Sequence, residues 1–235
     1  MTPSDVIFSI ITPTRGDRPR ALARAVASVA AAALATPALA PGAVEMLVGF
    51  DGIRGERPAA DIAVRSFNFP KTGNFGHQIR DWLVRQAAGR FLLFLDDDNA
   101  LTPNVFNAFL PYLEHDFIVA RMDAHLAFND AYIPRDDDFD KCMVQGNIDA
   151  LCTCISRELL VVRCGGWRSQ GNYQADFVNL VRYYRRAKRP VKIKDIVGIY
   201  DASRGLDAGG ANFRQQALLA KTGRASTPAC PTVAD

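Results

Sequence analysis

The sequence predicts an α/β protein with a mostly parallel central sheet and helices on both faces. Hydrophobic, β-branched runs at residues 6–12, 44–50 and 91–95 are typical of strands that are buried on both faces. Segments with helical periodicity alternate with these runs, which is the order of elements in a parallel sheet. With 235 residues, 49% of them hydrophobic and 23% charged, the chain can form one or two folded domains, and a disordered chain or a coiled coil is excluded.

The first half of the chain predicts a regular alternation of strands and helices. After the strand at 6–12, apolar residues at spacings of three and four predict a helix over 20–34. Further along, Thr102 is expected to cap a helix whose first residue is Pro103. The remaining elements predicted before residue 121 are strands at 44–50, 62–67, 91–95 and 117–120 and helices at 77–88 and 103–113.

The second half predicts fewer regular elements. Residues 121–147 are polar and are expected to form a long loop, with a solvated acidic cluster at 136–140. The elements predicted after it are a strand at 150–155, a helix at 175–187 and one or two strands within 191–200. Residues 223–235 show no periodicity and are expected to form a disordered tail, which leaves a single domain over residues 1–222.

The composition disfavours several classes of protein. Lys and Arg total 28 against 25 Asp and Glu, and the net charge of +3 is closer to neutral than that of a dedicated nucleic-acid binder.

Five cysteines are too few for a disulfide framework, and their odd number fits a reducing compartment. Cys152 and Cys154 lie on a predicted hydrophobic strand, and we expect them to be core thiols and not metal ligands. No run of residues spans a membrane or opens the chain as a signal peptide, so we expect a cytoplasmic protein.

One basic stretch leaves a surface interaction open. Residues 182–194 contain seven cations and two tyrosines. An exposed helix face is the favoured interpretation. The alternatives are a phosphate-binding surface, an anionic acceptor, or peripheral contact with an anionic surface at the inner face of the membrane.

Three adjacent aspartates, Asp96, Asp97 and Asp98, follow the most hydrophobic predicted strand. Neighbouring carboxylates raise one another's pKa unless a cation lies among them, and helix capping does not require them because Thr102 is available as a cap. Oxygen ligands suit Mg²⁺ or Mn²⁺, and Mg²⁺ is often held by one or two carboxylates plus substrate phosphates. A metal–diphosphate site is therefore favoured over a solvated turn. A phosphatase of the Asp-x-Asp-x-Thr kind is disfavoured by Ala100.

Several short motifs, taken in order, resemble a known family. They are the Pro-Thr end of the first strand, the Asp-Gly end of the second, an Asn-x-Gly run followed by Arg-Asp, the acid triplet, and Gly-Gly-Trp followed by Ala-Asp. These motifs occupy residues 8–14, 47–52, 74–81, 94–98, 165–167 and 175–176. The ordered set resembles the inverting glycosyltransferases of the GT-A fold, family-2 type, over residues 8–200.

The resemblance implies a Rossmann-like GT-A domain with a donor-binding half over about 1–120 and an acceptor-binding half over about 121–222. It implies a nucleotide-diphosphate sugar, above all a UDP-sugar, and a glycan or glycoconjugate acceptor in bacterial surface-glycan synthesis. It also implies Asp176 as the general base and Mn²⁺ or Mg²⁺ at Asp98 and Asp96. The residues that it assigns to the donor are Thr12, Pro13, Thr14, Asp51, Asn74, Arg80, Asp96 and Asp97.

Alternatives to this interpretation stay open. Taken alone, Asp176 is an ordinary first-turn aspartate that the helix dipole stabilises. A sugar-phosphate nucleotidyltransferase would carry a Gly-rich loop after the first strand, of which residues 14–18 are a poor version. A non-catalytic nucleotide-sugar-binding module would keep the same fold. Where some family members place a metal-binding His, this sequence has Tyr200 and Asp201.

Overall fold

The computed structural model describes residues 5–128, 131–169 and 174–207, which form a curled, nine-stranded sheet with packed helices. The strands are β1 (Phe8–Thr14), β2 (Val44–Asp51), β3 (Ala63–Phe69), β4 (Phe91–Phe94), β5 (Ala100–Leu101), β6 (Phe117–Asp123), β7 (Tyr132–Ile133), β8 (Thr153–Ser156) and β9 (Pro190–Ile199). The α-helices are α1 (Pro19–Leu34), α2 (His77–Gln86), α3 (Val105–Phe109), α4 (Phe139–Cys142) and α5 (Ala175–Tyr184). No helix in the described ranges is long and apolar enough to cross a membrane. The predicted tail at 223–235 lies outside these ranges.

The sheet is mostly parallel, as the hydrophobic runs predict. Its strand order is β3-β2-β1-β4-β8-β6-β9-β5, with β7 beside β6. Six strands run in one direction, whereas β8 is antiparallel to both of its neighbours, β4 and β6. β1 is buried at all seven of its residues, which is typical of a strand that is covered on both faces. The predicted α/β class is confirmed.

Parallel pairing brings the carboxyl ends of β1, β2 and β4 to one edge of the sheet. Ile11 of β1 pairs with Phe94 of β4, so the acids after β4 extend beyond the edge beside the end of β1. Thr14 of β1 pairs with Phe50 of β2, and Asp51 follows at the same edge. The strand register therefore collects polar residues from three separate segments on one side of the molecule, where ligands bind in sheets of this class.

The predicted helix over 103–113 is only partly formed. α3 has five residues and continues as a short 3₁₀ turn. The Thr102 hydroxyl does not cap it but donates to the carbonyl oxygen of Ile196 at 2.8 Å, and the N-cap position falls on Asn104. The prediction was wrong because residues 100–101 form β5 and pair with β9, which draws Thr102 into the sheet.

The predicted strand over 150–155 also begins later than expected. Ala150–Cys152 form a 3₁₀ turn that the Asp149 carboxylate caps, and β8 begins after it. Cys152 therefore does not share a strand with Cys154. Both side chains are fully buried, so the prediction of core thiols is confirmed. The four cysteines in the described ranges are free thiols.

The segment 121–147 contains more structure than the loop predicted from its polarity. β6 continues to Asp123, β7 pairs with β6, and α4 follows. Within the acidic cluster at 136–140, Asp137 pairs with Arg121 at 2.8 Å and with Lys192 at 3.5 Å. The cluster is therefore partly neutralised by cations of the sheet and is not only a solvated loop.

A buried polar network joins the amino ends of β1 and β2 to the turn before β4. The Ser9 hydroxyl donates to the Glu45 carboxylate at 2.6 Å, and the same carboxylate accepts a hydrogen bond from the Ala88 amide at 2.7 Å. The Gly89 amide donates to the Ser9 hydroxyl at 2.8 Å. A Cβ atom at Gly89 would lie 2.6 Å from the backbone nitrogen of Ser9, so this close approach requires glycine.

We predict that Gly89→Ala lowers the free energy of unfolding by about 1–3 kcal/mol, the usual cost of overpacking a well-packed site. The added methyl group would press on backbone, which cannot rotate away as a side chain can. Urea denaturation followed by circular dichroism measures the change. Ala88→Ser, at the exposed neighbouring position, is the control and should stay within about 0.5 kcal/mol of the wild type. Equal stability of Gly89→Ala and the wild type would contradict the close approach.

Candidate active site

Arg18 holds two of the three aspartates that follow β4. Its guanidinium group lies 2.5 Å from Asp97 Oδ1 and 2.8 Å from Asp98 Oδ2. Asp97 also accepts a hydrogen bond from the Thr14 hydroxyl at 2.5 Å. Because Arg18 immediately precedes α1, these contacts tie the loop between β1 and α1 to the end of β4. The sequence contains no local signal for Arg18, since its partners lie about eighty residues away.

The three aspartates differ in their exposure to solvent. The side chain of Asp97 is 1% exposed and that of Asp98 is 12% exposed, whereas that of Asp96 is 41% exposed. Burial raises the pKa of Asp97 to about 7, although Arg18 acts in the opposite direction. Asp97 therefore faces the interior as a partner of Arg18, whereas Asp96 is the most exposed member of the triplet and Asp98 is partly exposed.

Arg80 of α2 connects the acid triplet to α5. Its guanidinium group pairs with Asp96 and lies 3.7 Å from Asp176 Oδ1. Nη1 donates to the carbonyl oxygen of Phe75 at 3.0 Å, and the group lies 5.5 Å from the centre of the Trp167 ring. Arg80 is 3% exposed, and burial opposes its charge while Asp96 and Asp176 raise its pKa above the ordinary value. A buried cation between carboxylates of two elements fixes where those carboxylates lie.

Asp176 lies in the first turn of α5 and faces this cluster. Its Oδ1 atom is 3.6 Å from His77 Nδ1 and 3.7 Å from Arg80, but it accepts no hydrogen bond from any described residue. Burial raises the pKa of Asp176, Arg80 and His77 lower it, and Asp96 raises it further, so that the net pKa is above the ordinary value. A carboxylate with a raised pKa and an unsatisfied oxygen is suited to accept a proton from a bound hydroxyl group.

His77 is held beside Asp176 by Trp167. The indole Nε1–H donates to His77 Nδ1 at 3.3 Å, and the two rings stack with their centroids 6.1 Å apart. His77 was not among the predicted site residues, although its position directly after the Gly-containing loop at 71–76 was a signal for it.

Asp149 is a further carboxylate in this cluster that the sequence did not identify. Its Oδ1 atom accepts a hydrogen bond from the Leu151 amide at 2.9 Å, as a cap of the turn before β8. Burial and then the charge of Asp176 raise the pKa of Asp149 to about 7, while Arg80 acts in the opposite direction. An aspartate before a turn is ordinary in a sequence, and only the tertiary structure brings this one to the site.

The residues predicted to meet the nucleotide occupy the neighbouring part of the sheet edge. Asp51, at the end of β2, accepts hydrogen bonds from the amides of Thr72 at 2.5 Å and Gly73 at 3.2 Å. Asn74 donates from Nδ2 to the carbonyl oxygen of Ser169 at 2.8 Å. Both predicted residues therefore contribute to the conformation of the loop between β3 and α2.

Thr12 and Pro13 lie within β1. Thr12 is fully buried, and its hydroxyl oxygen has no hydrogen-bond partner among the described residues. Pro13 packs closely on Gly76, because a Cβ atom added at Gly76 would lie 2.8 Å from the Cβ atom of Pro13.

The predicted residues that the structure brings into one cluster are Thr14, Arg80, Asp96, Asp97, Asp98 and Asp176. Thr12, Pro13, Asp51 and Asn74 lie beside that cluster.

Carboxylates outnumber cations at this site. The acidic members are Asp96, Asp97, Asp98, Asp149 and Asp176, and the arginines that face them are Arg18 and Arg80. Within the ranges that the structure describes, no three His, Cys, Asp or Glu side chains form a set that could hold a metal ion alone. Mg²⁺ needs only one or two carboxylates when substrate phosphates complete its shell, and its preferred donors are oxygen atoms. The excess of carboxylates over arginines and the donor chemistry therefore fit a metal–diphosphate site at Asp96 and Asp98.

Solved structures of TarS from S. aureus share the fold of this chain. TarS 1-349 matches with a TM-score of 0.63 at 16% sequence identity, over 83% of this chain and 60% of that chain. A second TarS structure matches with a TM-score of 0.64 at 15% identity, over 83% of this chain and 36% of that chain. TarS 1-349 in complex with UDP-GlcNAc matches with a TM-score of 0.60 at 14% identity, over 83% of this chain and 58% of that chain.

These likenesses define the class of fold. The chain has a mixed α/β fold with a mostly parallel central sheet, which it shares with the TarS structures. It spans about 60% of the length of the TarS 1-349 chain. No protein-family model and no curated protein matches the sequence.

We predict that Asp149→Asn raises the melting temperature at about pH 8 and changes it little at about pH 4. The pKa of Asp149 is about 7 in the folded chain and about 3.9 in an unfolded one, so the folded state binds more protons between these values. The wild type therefore loses stability as the pH rises through this window, whereas the neutral amide does not ionise.

Thermal denaturation of the wild type and the variant at both pH values measures this effect. Asp140→Asn, which removes an exposed carboxylate of α4, is the control and should give the same small difference at both pH values. An equal effect of Asp149→Asn at both pH values would contradict a raised pKa at this position.

Proposed function

We propose that this chain is an inverting glycosyltransferase that uses a UDP-sugar donor and Mg²⁺ or Mn²⁺. Its acceptor is the hydroxyl group of a glycan or glycoconjugate in the synthesis of a bacterial surface glycan. The observation that carries this proposal is the unsatisfied Oδ1 atom of Asp176 beside the Arg80–Asp96 pair, at the carboxyl edge of the sheet. The likeness in fold to TarS structures in complex with UDP and with UDP-GlcNAc supports the choice of donor.

On this proposal the diphosphate of the donor binds at the acid triplet. Asp98 and Asp96 would hold the metal ion, which would supply Lewis-acid stabilisation of the negative charge on the leaving diphosphate. Arg18 and Arg80 orient these carboxylates before the donor arrives. This preorganisation reduces the entropy that is lost when the donor is bound in a reactive position.

Asp176 is the general base of the proposed reaction. It takes the proton of the acceptor hydroxyl while that oxygen forms a bond to the anomeric carbon and the bond to the diphosphate breaks. Attack on the face opposite the leaving group inverts the configuration. The raised pKa of Asp176 strengthens it as a proton acceptor, while the positive charge of Arg80 acts in the opposite direction and favours the ionised carboxylate.

We predict that Asp176→Asn slows the release of UDP by about 10²–10⁴-fold, which is the usual contribution of a positioned base. The amide has nearly the same size but cannot accept the proton. The affinity for UDP should stay within a few-fold of the wild-type value, because Asp176 does not hold the donor in this proposal.

A coupled assay with the UDP-sugar that the wild type turns over fastest measures the rate, and calorimetry measures the affinity for UDP. Asp140→Asn, on the exposed side of α4, is the control and should match the wild type in both. If Asp176→Asn released UDP at the wild-type rate, the general base would have to be a group other than Asp176.

We also predict that Asp98→Asn abolishes the part of UDP binding that depends on metal. A ligand that binds only the folded state raises the melting temperature, so UDP should stabilise the wild type more with Mn²⁺ than with a chelator. In Asp98→Asn, UDP should raise the melting temperature by the same amount with Mn²⁺ and with a chelator. Asp61→Asn, at an exposed position before β3, should behave as the wild type.

The same thermal-shift measurement can contradict each part of the proposal separately. Equal shifts of the wild type with Mn²⁺ and with chelator would contradict the metal ion. The absence of a shift with every nucleoside diphosphate would contradict the donor site itself.

A further inference from the structure

α5 has a second face that the proposed function does not use. Leu180 and Tyr183 of this helix are fully buried in the core. Phe177, Val178 and Val181 lie on a different side, at spacings that form one stripe of the helix. This outer stripe lines a groove of about 450 Å³, and Val178 is 50% exposed.

The same groove is strongly basic. Its arginines are Arg168, Arg182, Arg185 and Arg186, and no Asp or Glu lines it among the described residues. Arg182 is buried and donates to the carbonyl oxygens of two neighbouring residues. The other three are exposed, and within the ranges that the structure describes their guanidinium groups have no carboxylate partner.

Other cations near this region are neutralised within the fold. Arg163 pairs with Asp116. Lys192 and Lys194, at the end of the basic stretch 182–194, pair with Asp137 at 3.5 Å and 3.3 Å. The fold thus provides carboxylates for these side chains but none for the arginines of the groove.

The segments that the structure does not describe carry few acidic residues in the sequence. Outside the described ranges the sequence contains Asp130 and Asp235 against Arg214, Lys221 and Arg224. These segments are basic in sum, so they do not complement a groove that is itself basic. An anionic partner would complement the charge of these exposed arginines.

We propose that the groove and the outer face of α5 form a docking surface for an anionic lipid bilayer. Arginine binds phosphate groups through paired hydrogen bonds, which suits lipid headgroups. The half-exposed side chain of Val178 lines the groove together with the arginines and would enter the interfacial region, as on helices that bind parallel to a membrane. A soluble polyanion would offer this apolar side chain no partner, so the observations favour a bilayer. The proposal does not rest on the proposed enzymatic function.

Flotation of the full chain with lipid vesicles tests this proposal. The wild type should bind vesicles of equal parts phosphatidylglycerol and phosphatidylcholine, less strongly as the salt concentration rises, and should not bind vesicles of phosphatidylcholine alone. The double variant Arg185→Gln/Arg186→Gln should lower partitioning into the anionic vesicles by about 10- to 30-fold. Val178→Ser should lower it severalfold, because it removes apolar area without changing the charge.

The matched control is Arg20→Gln/Arg24→Gln, which removes the same charge from the exposed side of α1. It should keep partitioning close to the wild-type value, and circular dichroism should show that all variants are folded. Equal losses in the two double variants would overturn the proposal, because net charge alone would then explain binding. Binding of soluble polyphosphate without binding of anionic vesicles would also overturn it and would assign the groove to a soluble polyanion.

Discussion

The candidate site depends on the contacts of the Arg80 guanidinium group, because they join elements from both halves of the chain. Arg80 comes from α2, its partner Asp96 follows β4, and Asp176 opens α5. A buried charge costs several kcal/mol unless it is paired and hydrogen-bonded, and Arg80 meets this condition with two carboxylates, a backbone carbonyl and the face of Trp167. The sheet edge and the first turn of α5 are therefore held in one arrangement by a single side chain.

The same cluster contains more negative charge than folding requires. Burial and mutual repulsion raise the pKa values of Asp97, Asp149 and Asp176, which means that the folded state holds these carboxylates at a cost. Natural sequences break such rules mainly at functional or strained sites. A metal ion with a nucleoside diphosphate would do so here, and this is the physical reason for placing the proposed donor at this edge.

The features that could be predicted are those fixed by local pattern. The hydrophobic runs identify β1 and β4, and parallel pairing then places Thr14 beside the acids that follow β4. Arg18 and Asp149 could not be predicted, because each enters the site from a distant loop and is marked by no local pattern. Thr102 shows the reverse error, since a good local capping signal is overridden when the neighbouring residues pair with β9.

The two faces of α5 connect the enzymatic proposal with the proposed membrane surface. The helix has ten residues and is about 15 Å long, so a bilayer on its outer face would lie within about one helix length of Asp176. An acceptor anchored in that bilayer would reach the base without leaving the lipid surface, whereas a freely soluble acceptor would have no need of a basic, apolar groove at this position. Taken together, the two proposals therefore favour a lipid-linked acceptor over a soluble one.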